Sequence, residues 1–427
     1  MLKKKIFSAA ALLIAVGLIL AAVSSFAQVT LTRQNYLQNV GIRPDLNSAP
    51  PPGTEINASN VDQYAALVPN GIKVLVKKFG MKIYTKKYQP IVPGDSFIAA
   101  TNKYLNSFKL VDTGNDPRKK GIEGYTAGLP FLKPQNGLEV AWDYIYGYNG
   151  DDADLNFTVY WINSKKGIEK SEDWRWMYII RGMHRTDIPP IPNIPEMEAR
   201  QAQYTSMTIC QAPQDKRGFI ALYSRFEEPK DQEGWIYIPA QRRPTRFSFG
   251  TRGDAWNNTD LLYEDVRGYM GFPEWMQWKI IAKTTYLAPM NSGIPIGKDG
   301  IQETWDFENS PHWNPKMNWE PRPMYVVEAK PKFPDYPYSK MICYIDGETF
   351  YMVFKEAYDK KGQLWKVLIN AFNQSPDMRK IPPGFGASLV VDLQMEHATA
   401  FGLLSSKANV GLDSKLFSQT SFGKLGK

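Results

Sequence analysis

The sequence has few of the residues that most often perform catalysis or bind metals. It contains only two cysteines and three histidines among 427 residues. The histidines, His184, His312 and His397, are scattered along the chain. No Gly-x-Ser-x-Gly or His-Glu-x-x-His pattern occurs. A zinc site and a serine-hydrolase site of the common type are therefore disfavoured, and no cofactor is expected.

The two cysteines, Cys210 and Cys343, both lie in strand-like segments. In an oxidising compartment they form either a disulfide or two separate buried thiols. The sequence leaves both alternatives open, because a disulfide depends on a Cα separation that the sequence does not give.

A strong excess of charge is also absent. The formal net charge is +8, and removing the three lysines at positions 3–5 lowers it to +5. Basic and acidic residues are interspersed, without an arginine-rich tract. This pattern excludes typical nucleic-acid binding but permits peripheral contact with anionic lipid head groups.

Long apolar runs are absent apart from one near the N-terminus. Lys3–Lys5 precede fifteen apolar residues, Ala9–Val23, and Ser25-Phe26-Ala27 follows. A spanning helix needs about 20 residues, and the small-x-small pattern is typical of signal peptidase sites. We therefore predict that residues 1–27 are a cleaved signal peptide and that the mature protein is periplasmic.

The mature chain is predicted to have an extended arm followed by one large domain. Residues 28–60 contain Pro50–Gly53 and little periodicity, which is typical of an arm. Residues 61–427 form the domain, with a helical segment near 71–106. Its apolar residues recur at helical spacing, and these helices either pack against a sheet or cover a binding cavity.

From Gly121 onward the apolar period shifts toward two, which indicates strands. Asp346-Gly347 and Lys361-Gly362 lie between such runs and favour hairpins. The sequence predicts a mainly β (α+β) fold: a curved, open antiparallel sheet or half-barrel with a few helices covering one face. The predicted strands are Leu155–Trp161, Trp174–Met183, Tyr204–Cys210, Gly218–Phe226, Trp235–Ile238, Arg246–Phe249, Trp275–Tyr286, Tyr325–Ala329, Lys340–Ile345, Thr349–Lys355, Leu364–Phe372 and Ser388–Thr399.

Aromatic residues are abundant, with 12 Trp, 23 Tyr and 21 Phe. Several strands are apolar on both faces and so need cover on both, either by packed elements or by a cavity for an apolar ligand. The sequence does not show which face of a strand lines such a cavity. The candidate ligand-binding residues are Trp235, Ile236, Tyr237, Ile238, Trp278, Tyr325, Val327 and Trp365.

Charged side chains near these strands allow several roles. An arginine cluster after Pro239 either binds a phosphate or carboxylate head group or fixes a turn through Glu264, Asp265 or Glu328. Two groups of acids are also notable, one as candidate catalytic carboxylates and the other as candidate calcium ligands in a turn. The arginines are Arg242, Arg243 and Arg246; the catalytic candidates are Asp260, Glu264 and Asp265; the calcium candidates are Asp151, Asp152 and Asp154.

Five blocks of the sequence resemble a periplasmic family labelled outer membrane lipoprotein-sorting protein, or domain of unknown function 1329. The resemblance covers roughly Gly71 to Thr399, and Pro244 departs from the family pattern, in which an apolar residue usually follows the arginines. The blocks are Gly128–Phe131, Trp235–Arg243, Glu264–Gly271, Glu320–Ala329 and Tyr338–Asp346.

The resemblance implies a fold like that of the Lol lipoprotein carriers, an open half-barrel with a helical lid over an apolar face. It brings no catalytic residues, and it implies association with outer-membrane proteins and resistance-nodulation-division transporters. The leading hypothesis is therefore a periplasmic carrier for a lipid, a lipoprotein acyl group or another amphiphile. The alternatives are a docking subunit of an envelope transport complex and a secreted hydrolase of carbohydrate or lipid.

Overall fold

A computed structural model describes residues 29–179, 181–229, 233–248, 253–377, 379–380, 382 and 384–426. The predicted signal peptide, residues 1–27, lies outside these ranges, as does Phe249 at the end of one predicted strand. No helix within the described ranges is both long and apolar enough to cross a membrane.

Short helices are spread along the chain, and three of them are ten residues long. The predicted helical segment forms two of these, α2 and α3. Asp95 lies in the first turn of α3, after the N-cap residue Gly94. The helices are α1 (Tyr36–Asn39), α2 (Asn70–Phe79), α3 (Asp95–Tyr104), α4 (Gly137–Tyr146), α5 (Pro195–Glu198), α6 (Lys298–Thr304) and α7 (Phe422–Leu425).

Strands make up most of the regular structure, as predicted. Nearly all of them belong to one sheet. They are β1 (Glu55–Ile56), β2 (Ile83–Thr85), β3 (Lys109–Leu110), β4 (Ile122–Glu123), β5 (Ala153–Asn163), β6 (Gly167–Ile179), β7 (Ala202–Ala212), β8 (Ile220–Phe226), β9 (Glu233–Tyr237), β10 (Pro244–Ser248), β11 (Met276–Ala288), β12 (Trp305–Asp306), β13 (Asn314–Pro315), β14 (Asn318–Pro331), β15 (Lys340–Asp346), β16 (Met352–Tyr358), β17 (Leu364–Asn373), β18 (Gly384–Asp392) and β19 (His397–Ala408).

The main sheet is open and consists of two antiparallel meanders lying side by side. Its order over the described residues is β1-β2-β14-β15-β16-β17-β18-β19-β5-β6-β7-β8-β9-β10, with β11 paired to β14. The meanders β5–β10 and β14–β19 meet where β19 pairs with β5, from His397 opposite Asn163 to Ala408 opposite Ala153. The β2–β14 pair is parallel. The predicted open, mostly antiparallel sheet is therefore confirmed.

The hairpins with the strongest turn signals form at the predicted positions. Asp346-Gly347 leads from β15 toward β16, and Lys361-Gly362 lies between β16 and β17. Gly362 has a φ of 78°, a left-handed conformation that glycine adopts without steric cost. The local turn chemistry of the sequence therefore predicts where these two hairpins turn.

One predicted strand, Ser388–Thr399, consists of two strands in the structure. β18 ends at Asp392, whose carboxylate accepts the backbone N–H groups of Gln394 and Met395 at 2.9 Å. Such Asx turns compete with strand pairing. The chain reverses there and continues as β19.

The alternation of side chains gives the sheet two differently covered faces. On β14, Met324 and Val326 belong to one core, and Tyr325 and Val327 belong to the other. Helices α2 and α6 pack on the first face, and α3 and α4 pack on the second. Helices therefore lie on both faces, whereas the sequence predicted helices on one face.

A long connection crosses the second face. β10 lies at one end of the sheet, whereas β11 pairs with β14 near the other end. The chain between them must therefore run across the sheet. We call residues 253–275 the strap; they contain three short 3₁₀ turns, Trp256–Asn258, Tyr263–Asp265 and Pro273–Trp275. The face that the strap crosses is called the strap face.

Candidate functional site

A cavity of about 240 Å³ lies between the strap and the sheet. Strands of both meanders form one wall, and Trp256, Leu261 and Tyr263 of the strap form the opposite wall. Most lining side chains are apolar or aromatic. The aromatic ones are Tyr144, Phe157, Trp174, Trp176, Phe219, Tyr223, Trp256, Tyr263, Trp275, Tyr351, Phe372, Phe385 and Phe401.

The period of two along each strand directs these aromatic groups to the cavity. On β6, Trp174 and Trp176 line the cavity, whereas Met177 packs into a core on the opposite face. On β19, Phe401 and Leu403 line it, and Ala400 lies in the opposite core. Alternate residues of a strand point to opposite faces of the sheet. A strand that is apolar on both faces therefore packs into a core with one face and lines the cavity with the other.

The cavity wall contains a chain of contacts between aromatic rings. The ring centroid of Trp256 in the strap lies 5.7 Å from that of Trp174 and 6.0 Å from that of Phe401. Phe401 in turn lies 5.9 Å from Phe157. Offset and edge contacts in this range are favourable. Trp256 therefore fastens the apolar side of the strap to strands from both meanders.

Asp265 fixes the centre of the strap. Its carboxylate forms a short ion pair with Lys355 of β16, and it accepts a hydrogen bond from the Tyr338 hydroxyl at 2.7 Å. Lys355 also donates to the carbonyl oxygen of Gly268. Burial, followed by the charge of Asp265, raises the pKa of Tyr338 well above its ordinary value. The Tyr338 hydroxyl therefore stays protonated and continues to donate.

Asp260 and Glu264 provide further attachments of the strap. The Asp260 carboxylate accepts hydrogen bonds from His397 Nδ1 and Thr399 Oγ1, both at 2.7 Å. Burial lowers the pKa of His397, but Asp260 and Glu169 outweigh this effect and raise it overall. The Glu264 carboxylate accepts from the Tyr336 hydroxyl at 2.9 Å.

The three acids that the sequence offered as catalytic candidates therefore share a structural feature. Asp260, Glu264 and Asp265 all belong to the strap, and each holds it to side chains of the sheet or of its connections. The partners described above are a histidine, a threonine, two tyrosines and a lysine. This arrangement can hold a cover over a cavity.

The predicted ligand-binding residues fall into four groups. Ile236 lines the cavity, whereas Trp235 and Tyr237 point to the opposite face and pack against the core beneath α5 and α7. Ile238 follows β9 and is 37% exposed. The remaining four lie in the core of the strap face beyond the cavity lining; these are Trp278, Tyr325, Val327 and Trp365.

The predicted arginines lie at the exposed β9–β10 hairpin and do not line the cavity. Arg242 has a φ of 52° and ends the 3₁₀ turn after β9. Arg243 is exposed beside it. Arg246 pairs with Glu233 at 3.1 Å across the hairpin. Glu328, one of the acids proposed to fix this turn, pairs with Lys330 and Lys340.

The candidate calcium ligands bind other parts of the protein. Asp151 accepts backbone N–H groups of residues 186–188 at 2.7 to 3.0 Å. Asp152 accepts those of Val410 and Leu412 at 2.7 and 2.6 Å. Asp154 pairs with Arg175 at 2.6 Å. Within the described ranges, no cluster of three or more His, Cys, Asp or Glu side chains could hold a metal ion.

Both cysteines are free and buried. Cys210 packs with the aromatic side chains near the cavity, whereas Cys343 packs in the core of the strap face near α3 and α4. The two thiols therefore belong to separate clusters.

Of the ligand-binding residues predicted from the sequence, only Ile236 lines the cavity within the described residues. Trp174 and Trp176 lie at period two in a predicted strand, so their common face was a usable signal. Trp256 and Tyr263 had no such signal, because the strap has no regular period. Their place in the wall follows only from the path of the chain between β10 and β11.

Comparison with other proteins gives related sequences and similar structures. An uncharacterized protein of Pseudomonas aeruginosa is 26% identical over 366 residues, which is 82% of this chain and 75% of that protein. A DUF1329 family protein from Desulfovibrio piger is similar in structure, with a TM-score of 0.47 and 15% identity over 67% of this chain and 97% of that one. A LolA superfamily protein from Nitrosomonas europaea has a TM-score of 0.38 and 14% identity over 66% of this chain and 96% of that one. The family model described as Protein of unknown function (DUF1329) matches residues 55–422, which is most of the chain, and the protein therefore belongs to the DUF1329 family.

Proposed function

We propose that the protein is a periplasmic carrier that binds a hydrophobic or amphiphilic ligand in the cavity under the strap and performs no chemistry on it. The observation that carries this proposal is the aromatic lining of a 240 Å³ space between the strap and the sheet. Sites for small apolar ligands are typically concave, mostly apolar and largely preformed. The resemblance to lipoprotein-sorting proteins described above supports the same class of function.

The energetics favour a ligand with a hydrocarbon chain. Burying one methylene group contributes about 0.8 kcal/mol, so roughly ten methylenes contribute about 8 kcal/mol before the costs of association. Phe157, Trp174 and Phe401 offer flat apolar surfaces for such a chain. A ligand can thus be held without a charged anchor and released when the wall opens.

In this proposal, movement of the strap assists exchange of the ligand. The strap is held by side-chain attachments and short 3₁₀ turns, without strand pairing to the main sheet. Segments held in this way open more easily than the strands below them. We therefore assign the role of lid to the strap, where the sequence resemblance implied a helix.

The location and partners belong to the same proposal. The N-terminal pattern supports export to the periplasm, where a carrier would exchange its ligand with an outer-membrane protein or an envelope transporter. The exposed arginines of the β9–β10 hairpin, Arg242, Arg243 and Arg246, are placed to contact anionic lipid head groups at a membrane surface. Among the predicted ligand-binding residues, Ile236 is the one we assign to direct contact.

The proposal is tested with full-length protein exported to the periplasm of a Gram-negative host. Native mass spectrometry is expected to detect a co-purified lipid or other amphiphile. Titration with 11-(dansylamino)undecanoic acid after delipidation is expected to give saturable binding. Absence of both signals would refute the proposed function.

A matched pair of variants locates the binding site. Ala221 lines the cavity, so Ala221→Trp fills part of it and is expected to weaken probe binding at least tenfold. Ala240 is exposed after β9, and the same substitution there, Ala240→Trp, is expected to leave binding unchanged. Equal affinities for the two variants, both folded by circular dichroism, would place the site elsewhere.

A further inference from the structure

A second, smaller cavity adjoins the first and differs from it in chemistry. Its volume is about 50 Å³, and we call it the annex. The two cavities share Tyr144, Trp176, Arg267 and Met270 in their walls. The other polar walls of the annex come from Arg181, His184, Gln203, Tyr204 and Arg225. An apolar chamber thus continues into a small polar and cationic one.

Arg225 on β8 is the main feature of the annex. Its side chain donates from Nη1 to the carbonyl oxygens of Met270 and Gly271, and its guanidinium lies 3.9 Å from the ring centroid of Phe272. It is 2% exposed, and its Nε atom has no hydrogen-bond partner among the described residues. A buried donor without an acceptor carries a substantial desolvation cost.

Arg181 adds a second buried cation. Its guanidinium donates to the carbonyl oxygens of Tyr146 at 2.8 Å and His184 at 3.3 Å. In the part of the chain that the structure describes, neither Arg181 nor Arg225 has a carboxylate oxygen within 4.0 Å. Carbonyl oxygens satisfy hydrogen bonds but carry no net charge. The positive charge of the two guanidinium groups therefore lacks a direct counter-ion.

Two nearby acids, Glu227 and Glu274, have direct partners other than these arginines. Glu227 pairs with His184 and, at 3.1 Å, with Lys120. Burial would raise the pKa of Glu227, but His184 and Lys120 outweigh it and lower the pKa to about 2. Glu274 accepts the backbone N–H of Gly121 at 2.7 Å, and burial raises its pKa. Glu227 is thus neutralised by its own partners, and Glu274 holds its negative charge less readily than an exposed acid.

We infer that the annex binds the carboxylate of a long-chain fatty acid or a related apolar carboxylic acid, whose hydrocarbon chain lies in the main cavity. Buried cations are usually paired with an anion, and arginine matches the two oxygens of a carboxylate well. This inference rests on the proposed carrier function and narrows its ligand from any amphiphile to an anionic one.

The size of the annex favours a carboxylate over larger anionic groups. One water-sized group needs about 10–15 Å³ of such space, so 50 Å³ accommodates about four. A carboxylate, with one carbon and two oxygens, fits this space. A phosphate monoester, with four oxygens around phosphorus, is larger and fits less easily. An acyl ester or amide would bring no charge to the arginines.

The test compares three ligands that share one chain: hexadecanoate, hexadecanol and hexadecyl phosphate. Each is titrated into delipidated full-length protein at pH 8, below its micelle-forming concentration, with displacement of the dansyl probe as readout. We expect hexadecanoate to bind at least tenfold more tightly than hexadecanol, and hexadecyl phosphate to bind less tightly than hexadecanoate. Equal affinities for hexadecanoate and hexadecanol would overturn the inference and leave the carrier function intact, whereas no binding of any ligand would refute the carrier function itself.

Variants test whether the annex is responsible for the preference for hexadecanoate over hexadecanol. Arg225→Met is expected to lose at least tenfold in hexadecanoate affinity and to keep its hexadecanol affinity, which also shows that the main cavity remains folded. Arg225→Lys keeps the charge and is expected to retain most of the preference. If Arg225→Met does not fold, Arg267→Gln serves instead, because Arg267 lies between the cavities and is only half-buried. An unchanged preference for hexadecanoate in folded Arg225→Met, or in Arg267→Gln where it replaces that variant, would contradict the assignment.

Discussion

Asp265 in the strap and Lys355 on β16 form an ion pair in which each side chain is only 2% exposed. The pair joins the cover of the cavity to the sheet at a point that water does not reach. Tyr338 adds a hydrogen bond to the same carboxylate at 2.7 Å. Charges buried in this way need their partners, so the position of the strap depends on a few specific contacts.

Lys355→Met should destabilise the protein strongly, because Asp265 would remain buried without its counter-ion. Removing one partner of a buried pair typically costs about 3–5 kcal/mol. Urea unfolding followed by tryptophan fluorescence measures this loss. The comparison is Lys77→Met, which removes the partner of Asp62 in a pair whose side chains are 50% and 73% exposed. We expect little change there, and a comparable loss in both variants would mean that the Asp265–Lys355 pair has no special role.

Glu320 should make stability depend on pH. It shares one buried guanidinium, that of Arg322, with Asp346 and Glu348, and it accepts from Arg322 Nη1 at 3.2 Å. Burial raises the pKa of Glu320 from 4.5 to about 7. Between pH 4.5 and 7 the folded protein therefore holds a proton that the unfolded chain has lost. The stabilisation that comes from protonated Glu320 is complete below pH 4.5 and is lost as the pH rises through 7.

Glu320→Gln isolates that effect, because glutamine stays neutral at every pH. Relative to the native protein, the variant should gain about 2.5 kcal/mol in free energy of unfolding between pH 5 and pH 8. Urea unfolding of both proteins at the two pH values measures the difference. The exposed Glu308 serves as the control position, and Glu308→Gln should show no such gain. A constant difference between Glu320→Gln and the native protein across this range would contradict the prediction.

The two thiols should be unreactive in the folded protein. Burial raises the pKa of Cys210 to about 11 and that of Cys343 to about 12, so little thiolate exists at neutral pH. Iodoacetamide should modify neither cysteine in the folded protein and both after unfolding in urea. Added reductant should leave the melting temperature unchanged. An intact mass lower by two hydrogens in periplasmic material would instead indicate a disulfide.

Local patterns in the sequence account for much of the sheet. The alternation of Leu155 and Phe157, and the turn signals at Asp346-Gly347 and Lys361-Gly362, correspond to real strands and hairpins. The pairing of β19 with β5 could not be predicted, because it joins Ala408 to Ala153 without any signal nearby in the sequence. The sequence therefore predicts which segments form strands, whereas the order of the strands in the sheet is known only from the structure.

The candidate site was less predictable for the same reason. The strap has no regular period, and the contacts of Asp265 with Lys355 and Tyr338 could not be predicted from the sequence. The annex depends on Arg181 and Arg225, which lie 44 residues apart on the chain and meet only through the pairing of successive strands. Side chains brought together by tertiary structure leave no spacing pattern in the sequence.

The two faces of β9 allow a direct test of the site. Ile236 lines the cavity, whereas Tyr237 packs on the opposite face, with its ring centroid 5.9 Å from that of Phe422 in α7. Ile236→Asn should weaken binding of the dansyl probe about tenfold, because a covered amide without partners costs about 1–3 kcal/mol. Tyr237→Ala should instead cost about 2 kcal/mol of stability through lost apolar burial, and hydrogen exchange should increase in α7.

Measuring both variants in both assays makes the comparison decisive. In probe titration, Ile236→Asn should bind more weakly, and Tyr237→Ala should bind with close to the native affinity. In urea unfolding, Tyr237→Ala should lose more stability than Ile236→Asn. The neighbouring positions share one strand, so a general disturbance of β9 would affect both assays in both variants. If Tyr237→Ala lost affinity while Ile236→Asn kept it, the ligand would lie on the α7 side of the sheet, and the strap would cover no binding site.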